Sequence, residues 1–181
     1  MDERLLRTPR LTLFAASFTA VDAAAEGDRS TLARLLGASV PADWPPRLND
    51  DGRMALEGFK FVRDILRQHP TLVGWWGWWV LLQGSWPSLV GVVATKGPPD
   101  REGTVEVSYG IIDSHQGKGI ATEATQGLID WLKRDPRVRR IVAETFPSMA
   151  ASIAVMEKCG MSFLGEGSEP GTIRYGLSVP R

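Results

Sequence analysis

Between Ile111 and Ala124 the chain reads "IIDSHQGKGIATEA", and its chemistry lies in Gln116, Gly117, Lys118 and Gly119. Glycine at 117 and 119 allows positive φ and a close approach of main chain to a ligand. If a helix begins at Ile120, its unsatisfied N–H groups and those of the turn converge on one spot. The helix dipole adds partial positive charge there, and the sum is a phosphate cradle. Two other phosphate loops do not fit. The nucleoside triphosphatase loop needs a glycine where Ile112 stands and continues differently after Lys118, and the dinucleotide fingerprint needs a third glycine that "GKGIAT" lacks. A tight turn at a helix start, with no ligand, accounts for the bare glycines equally well.

The elements that position this turn follow from periodicity. Before it, Thr104–Ile112 alternates Val105, Val107, Tyr109 and Ile111 against Glu106, Ser108 and Gly110, a strand pattern. After it, Ile120–Asp135 sets Ala121, Ala124, Leu128 and Leu132 on one helical face. A strand over Arg139–Thr145 and a helix over Met149–Cys159, closed by Gly160, come next, and "MSFLGEG" with "TIRYGLSV" forms a terminal hairpin. Upstream, Arg10–Ser17 reads as a strand, followed by a helix near Thr19 and another from the N-cap Asp28 to Gly37. Three prolines and an Asn-Asp-Asp-Gly cluster keep Val40–Gly52 irregular. Arg53–Gln68 is a helix with Leu56, Phe59, Val62, Ile65 and Leu66 on its stripe. The order is α+β in a single domain.

Gly74–Leu82, "GWWGWWVLL", holds four of the seven tryptophans, and no charge lies between Pro70 and Thr95. That length could span a bilayer, where a helix needs roughly 20 apolar residues. Gln83–Ser88 interrupts it with Gly, Ser and Pro, which favours two strands joined by a turn. Acidic and basic residues balance at 21 each, so no net field draws the protein to nucleic acid or an anionic membrane. One cysteine and two histidines leave no disulfide framework and make a cysteine- or histidine-based metal site an unfavoured expectation. The charged start "MDERLLRTPR" has no apolar run, so the expected location is cytoplasmic.

The phosphate turn resembles that of the GNAT superfamily of acetyl-CoA-dependent N-acetyltransferases, Gln/Arg-x-x-Gly-x-Gly/Ala, matched by Gln116, Gly119 and Ala121. "AETFPSMAASIAVMEKCGM" is similar to that family's second signature, a strand and a helix ending Glu-Lys-x-Gly. The likeness runs over about Arg10–Val179, and its later part is similar to the ribosomal-protein alanine acetyltransferase branch. It implies a mostly antiparallel mixed sheet splayed between two central parallel strands, with helices on both faces. Within one domain over 1–181, it implies a substrate-covering region at about 18–68 and an acetyl-CoA-binding core at 104–165.

The resemblance also implies roles. Backbone groups of Ile111 and Ile112 pair with the pantetheine arm. Amides of Gln116, Gly117, Lys118, Gly119, Ile120 and Ala121 hold the pyrophosphate. An acceptor ammonium, with pKa near ~10, must lose a proton before it attacks the thioester. Glu106 is the first candidate base and Glu144 the second; each has a plain structural alternative, as a solvated strand residue and as a fastener of the following loop. Tyr109 is a candidate acid or substrate contact, or simply a half-buried strand residue. Met149 and Met156 stand where many relatives carry Asn and a proton-donating Tyr, which leaves Ser152 as the substitute hydroxyl facing the cofactor. Cys159 is read as packing, His115 as a cofactor contact or a solvated loop residue, and His69 has no assigned role.

The Trp-rich strand then lies beside the cleft. Period-2 geometry sets Trp75 and Trp79 on one face and Trp76 and Trp78 on the other, and one pair lines the acceptor pocket. The expected activity is acetyl transfer to a primary amine, small molecule or protein N-terminus, in a ternary complex. The expectation includes no nucleic-acid or membrane partner and a monomer or homodimer. A non-catalytic acyl-CoA-binding module is the alternative, and a nucleotide-binding protein a distant third. The acidic Asn49-Asp50-Asp51 is a candidate attractor for a cationic amine.

Overall fold

A computed structural model of the chain describes residues 4–47 and 53–180, with side chains from Ala55 in the second stretch. The acidic run at 49–51 lies outside the described residues. Local chemistry starts the helices where expected. Ser17 caps α1 (Phe18–Ala25), its Oγ accepting from the Ala20 amide at 3.4 Å. Asp28 caps α2 (Arg29–Leu36) through the Thr31 amide at 2.9 Å, which is the main cause holding its carboxyl down at about 2. Gly37 ends that helix at φ +59°, a conformation in which a Cβ is strained. On α3 (Arg53–Gln68) the inward stripe is Ala55, Phe59, Val62 and Leu66. Leu56 stays exposed, and its neighbour Ala55 is the buried residue instead.

Eight strands form one sheet in the order β1-β2-β3-β4-β5-β6-β8-β7. They are β1 (Leu5–Arg7), β2 (Leu11–Ala15), β3 (Trp78–Leu82), β4 (Ser88–Thr95), β5 (Thr104–Ile111), β6 (Arg140–Thr145), β7 (Ser162–Glu166) and β8 (Ile173–Ser178). Every pairing between these strands is antiparallel except β5 with β6, which α4 (Ile120–Leu132) connects as a crossover. The parallel pairing lasts only from Thr104 opposite Arg140 to Glu106 opposite Val142. Beyond Glu106, β5 continues along β4 as far as Ile111, and no pairing with β6 continues. The splayed sheet that the resemblance implies is present.

Helices cover both faces. Trp79 packs against Phe59 of α3, with ring centroids 5.6 Å apart, whereas its neighbour Trp78 meets Trp131 of α4 at 5.2 Å. α5 (Ala150–Lys158) lies on the α4 side, where the Tyr109 hydroxyl reaches Ser152. Trp78 and Trp79 are both almost fully buried, so this strand is core on two faces at once.

The run before β3 departs from expectation. Pro70 opens a short 3-10 turn, and Gly74 at φ +94° redirects the chain, so Trp75, Trp76 and Gly77 precede the strand. A turn does not keep period 2, and the tryptophans sort differently. Trp75 joins Trp78 on the α4 side, 5.0 Å from Trp131 with the Arg137 guanidinium over its ring. Trp76 joins Trp79 on the α3 side, edge-on to Phe61 at 5.5 Å. Among the described residues no helix is long and apolar enough to cross a membrane.

Candidate functional site

The divergence of β5 from β6 leaves main-chain groups without a strand partner. The Ile112 amide donates to Val90 O at 3.0 Å and the Lys96 amide to Glu106 O at 2.8 Å. Even-numbered residues of β5 therefore spend their main-chain groups on β4, and Tyr109 and Ile111 turn theirs toward the gap. This corrects the expectation for Ile112, whose amide is engaged and whose side chain is fully buried. Beside Ile111, it is the main chain of Tyr109 that faces the gap. Gln116 trims the same edge, its Nε2 donating to Ile111 O at 3.0 Å and to Asp113 Oδ1 at 3.1 Å.

The cradle follows directly. Gly117 and Gly119 sit at φ +72° and +73°, and Gly119 caps α4 with no side chain bonded to the helix's first amides. Those amides are donors in need of an acceptor, at the positive end of the helix. Lys118 contributes by main chain alone: its Nζ folds back onto Ser114 O at 2.8 Å. Behind the turn, Arg10 donates to Lys118 O at 3.0 Å and to Glu123 Oε2 at 2.6 Å, and Thr8 donates to Glu123 Oε1 at 2.6 Å. Burial raises the Glu123 carboxyl, but the Thr8 and Arg10 hydrogen bonds outweigh it and hold the group below its ordinary value. This brace joins the β1–β2 turn to α4, and sequence spacing gave no sign of it because its partners lie more than a hundred residues apart.

A groove of about 420 Å³ runs from the gap over the cradle. It brings together Tyr109, Ile111, Gln116, Gly117, Gly119, Ile120, Ala121 and Ser152, while Ile112 and Lys118 stay off its wall. Arg47 and Lys158 add cations to it. The free amides, the absence of a Cβ at the two glycines and these cations suit a diphosphate bearing an extended arm. Inside the groove the Tyr109 hydroxyl donates to Ser152 O at 2.9 Å and lies 3.0 Å from Ser152 Oγ. Burial pushes the Tyr109 hydroxyl up to about 12. Met149 stands at the N-cap of α5 without a side-chain hydrogen bond, and Met156 is fully buried in the core. Cys159 is buried too, its thiol raised to about 11 by burial, with Sγ against Thr122 O. His115 lines the groove and shares a hydrogen bond with Ser114 Oγ at 2.9 Å. His69 precedes the Pro70 turn, away from all of this.

On the opposite face of β5, Glu106 is ion-paired with Lys96, its partner directly across β4. Lys96 was missed in the sequence, because the β4–β5 register that sets it opposite Glu106, with Thr95 opposite Val107, is not centred on the 97–103 turn. Lys96 and Ser108 also border a cavity of about 290 Å³ between α3 and the sheet, with Trp76 and Trp79 in its wall. Trp78 touches that cavity but sends its indole to the far face, donating to Gly74 O at 2.8 Å. Trp75 lies wholly outside it. Glu144 belongs to neither site. Its carboxylate is 6 % exposed and accepts from the Ser168 amide, Ser168 Oγ, Thr172 Oγ1 and Arg174. Burial pushes it up, and the hydrogen bonds from Ser168 and Arg174 prevail and hold it below its ordinary value. Its lone pairs are occupied in fastening the β7–β8 turn.

Comparison with known proteins agrees with this geometry. Residues 20–162 match the family model described as the acetyltransferase (GNAT) domain. The uncharacterized N-acetyltransferase YjdG of Bacillus subtilis (strain 168) is 30% identical over 156 residues, 86% of this chain and 88% of that one. The fold is similar to the RimL ribosomal L7/L12 alpha-N-protein acetyltransferase in complex with coenzyme A, with TM-score 0.64 and 19% identity over 97% of this chain and 98% of that one. It is also similar to the ribosomal-protein-S5-alanine acetyltransferase from Vibrio fischeri, with TM-score 0.64 and 17% identity over 97% and 96%.

Proposed function

Because the chain belongs to the GNAT acetyltransferase family and is an acetyl-CoA-dependent N-acetyltransferase, we propose that it acetylates a primary amine by direct attack, with both substrates bound together. The observation that carries this reading is the break in the sheet. Past Glu106, β5 leaves β6, with a main-chain groove on one side of β5 and an aromatic cavity on the other. Bound acetyl-CoA supplies the thioester whose acetyl group is transferred.

The chain's own residues divide the remaining work. Amides from Gly117 to Ala121 and the α4 dipole receive the diphosphate. Main-chain groups of Tyr109 and Ile111 pair with the extended arm, and their N–H donors are available to the oxygen on which charge develops. Glu106 accepts a proton from the acceptor ammonium, directly or through water. That ammonium meets a carboxylate already paired with Lys96, so it displaces Lys96 or shares the carboxylate with it. Tyr109 stays protonated at neutral pH, and with Ser152 it forms a hydroxyl pair that can return a proton to the leaving sulfur. Glu144 fastens a turn and takes no part.

The test is mass and thiol release. Protein incubated with acetyl-CoA alone keeps its mass, and thiol appears only when a primary amine is added. An acetylated protein that accumulates before the amine is present would replace direct attack with a covalent relay.

A further inference from the structure

We propose that the acceptor carries a flat, uncharged, apolar group bearing a hydrogen-bond-accepting oxygen, and that the cavity between α3 and the sheet holds that group. The inference rests on the acetyl-transfer reading above and narrows its substrate class. The cavity of about 290 Å³ is walled by Phe59, Val62, Trp76, Trp79, Val92 and Ala94. That volume is at the lower end for small-molecule sites. Phe61, edge-on to Trp76, extends the aromatic surface outward and is 57 % exposed.

Two donors in this wall have nothing to bond. The indole nitrogens of Trp76 and Trp79 are buried, and neither meets an acceptor among the described residues. Trp79 itself is 2 % exposed, so water gives it little relief. A buried donor without an acceptor is costly, and an oxygen delivered by a ligand removes that cost. The charges point the same way. Lys96 is the one ionisable group in the cavity wall among the described residues, and Glu106 already holds it. Among the described residues of the wall, a carboxylate on the acceptor's side group finds no free cation, and a second ammonium finds no free anion. Either would be desolvated without a partner.

The amine itself belongs at the polar end, with Lys96, Glu106 and Ser108. Ser108 lines the cavity and Gly110 lines the cofactor groove, two residues apart along β5. At a strand's rise they are roughly 7 Å apart, so an amine beside Ser108 stands close to the acetyl site.

The experiment measures thiol release from acetyl-CoA by the whole protein with tyramine methyl ether, phenethylamine, spermidine, beta-alanine, and peptides beginning with Phe or with Asp. The expected kcat/KM for the methyl ether exceeds that for phenethylamine by about tenfold, the worth of one hydrogen bond. Both exceed spermidine and beta-alanine by about a hundredfold, and the Phe peptide exceeds the Asp peptide similarly. Trp76→Phe and Trp79→Phe, each deleting a donor while keeping a ring, bring the ratio of methyl ether to phenethylamine toward one. Melting curves establish that each variant folds, and Trp76→Phe carries this arm if Trp79→Phe does not fold. Whether the free aryl amines or the Phe peptide turn over faster assigns the source of the group. Spermidine or beta-alanine matching the aryl amines, or an unchanged ratio in the folded variants, overturns the proposal alone. Absence of thiol release with every amine overturns the acetyl-transfer reading, and the substrate class falls with it.

Discussion

On one side of β5 the groove from Tyr109 to Ala121 is shaped by main chain: amides, two positive-φ glycines and a helix end. On the other side, the cavity is shaped by rings, with Phe59, Trp76 and Trp79 setting its outline and two indole donors its polarity. A main-chain site tolerates side-chain change, so it can be built with Met149 and Met156 at the positions where the resemblance implies Asn and Tyr. A site made of side chains has no such tolerance. Each ring in it decides what fits, so in the proposed reading the groove carries the acetyl donor and the cavity carries the choice of acceptor.

Substitutions can break this division or sharpen it. The largest expected effect is on chemistry: Glu106→Gln lowers kcat about 10²–10⁴-fold, while calorimetry finds acetyl-CoA affinity unchanged. A variant with wild-type kcat would move proton removal to water. Next comes Trp78→Ala, a cavity-forming truncation in the core, expected to cost about 3–5 kcal/mol in urea unfolding. Trp76→Ala, at the half-buried wall, should instead alter KM for the amine more than stability. Gly119→Trp forces a side chain onto φ +73° and toward the Arg10 guanidinium behind the turn, straining the main chain that shapes the cradle; acetyl-CoA affinity should fall about a hundredfold, with retained binding sinking the assignment of the turn.

Two smaller effects probe the supports. The Glu144 carboxyl is held below its ordinary value in the folded chain, so it stabilises the fold above that value and loses this contribution as pH falls through its depressed one. Glu144→Gln should therefore lose less additional stability between neutral pH and about pH 3, as read from denaturant midpoints. Smallest is Met149→Asn, which supplies the missing cap of α5 and should raise stability by about 1 kcal/mol.

The same contrast governs what was legible in the sequence. Asp28 and Gly37 fixed the ends of α2 because caps depend on residues within one turn. The glycines at 117 and 119 announced the cradle for the same reason. Strand β1, three residues long, carries too little periodicity to be seen. Period 2 failed at Trp75 because Pro70 and Gly74 had already turned the chain, a competition that apolar character alone hides. Lys96 over Glu106, Arg10 on Glu123 and the engaged amide of Ile112 all depend on register between strands or on distant pairing. The base candidate was visible as a carboxylate on a strand, but the cation that holds it was not.

The sorting of the tryptophans has an optical consequence. Indole emission responds to whether its N–H is bonded and to the polarity around the ring. Trp76 and Trp79 border the cavity and have N–H groups that meet no acceptor among the described residues, whereas Trp75, Trp78 and Trp131 cluster on the opposite face. A ligand entering the cavity acts most directly on the emission of the first pair. The molecule thus carries an unlabelled reporter of whatever enters that cavity, supplied by one nine-residue stretch.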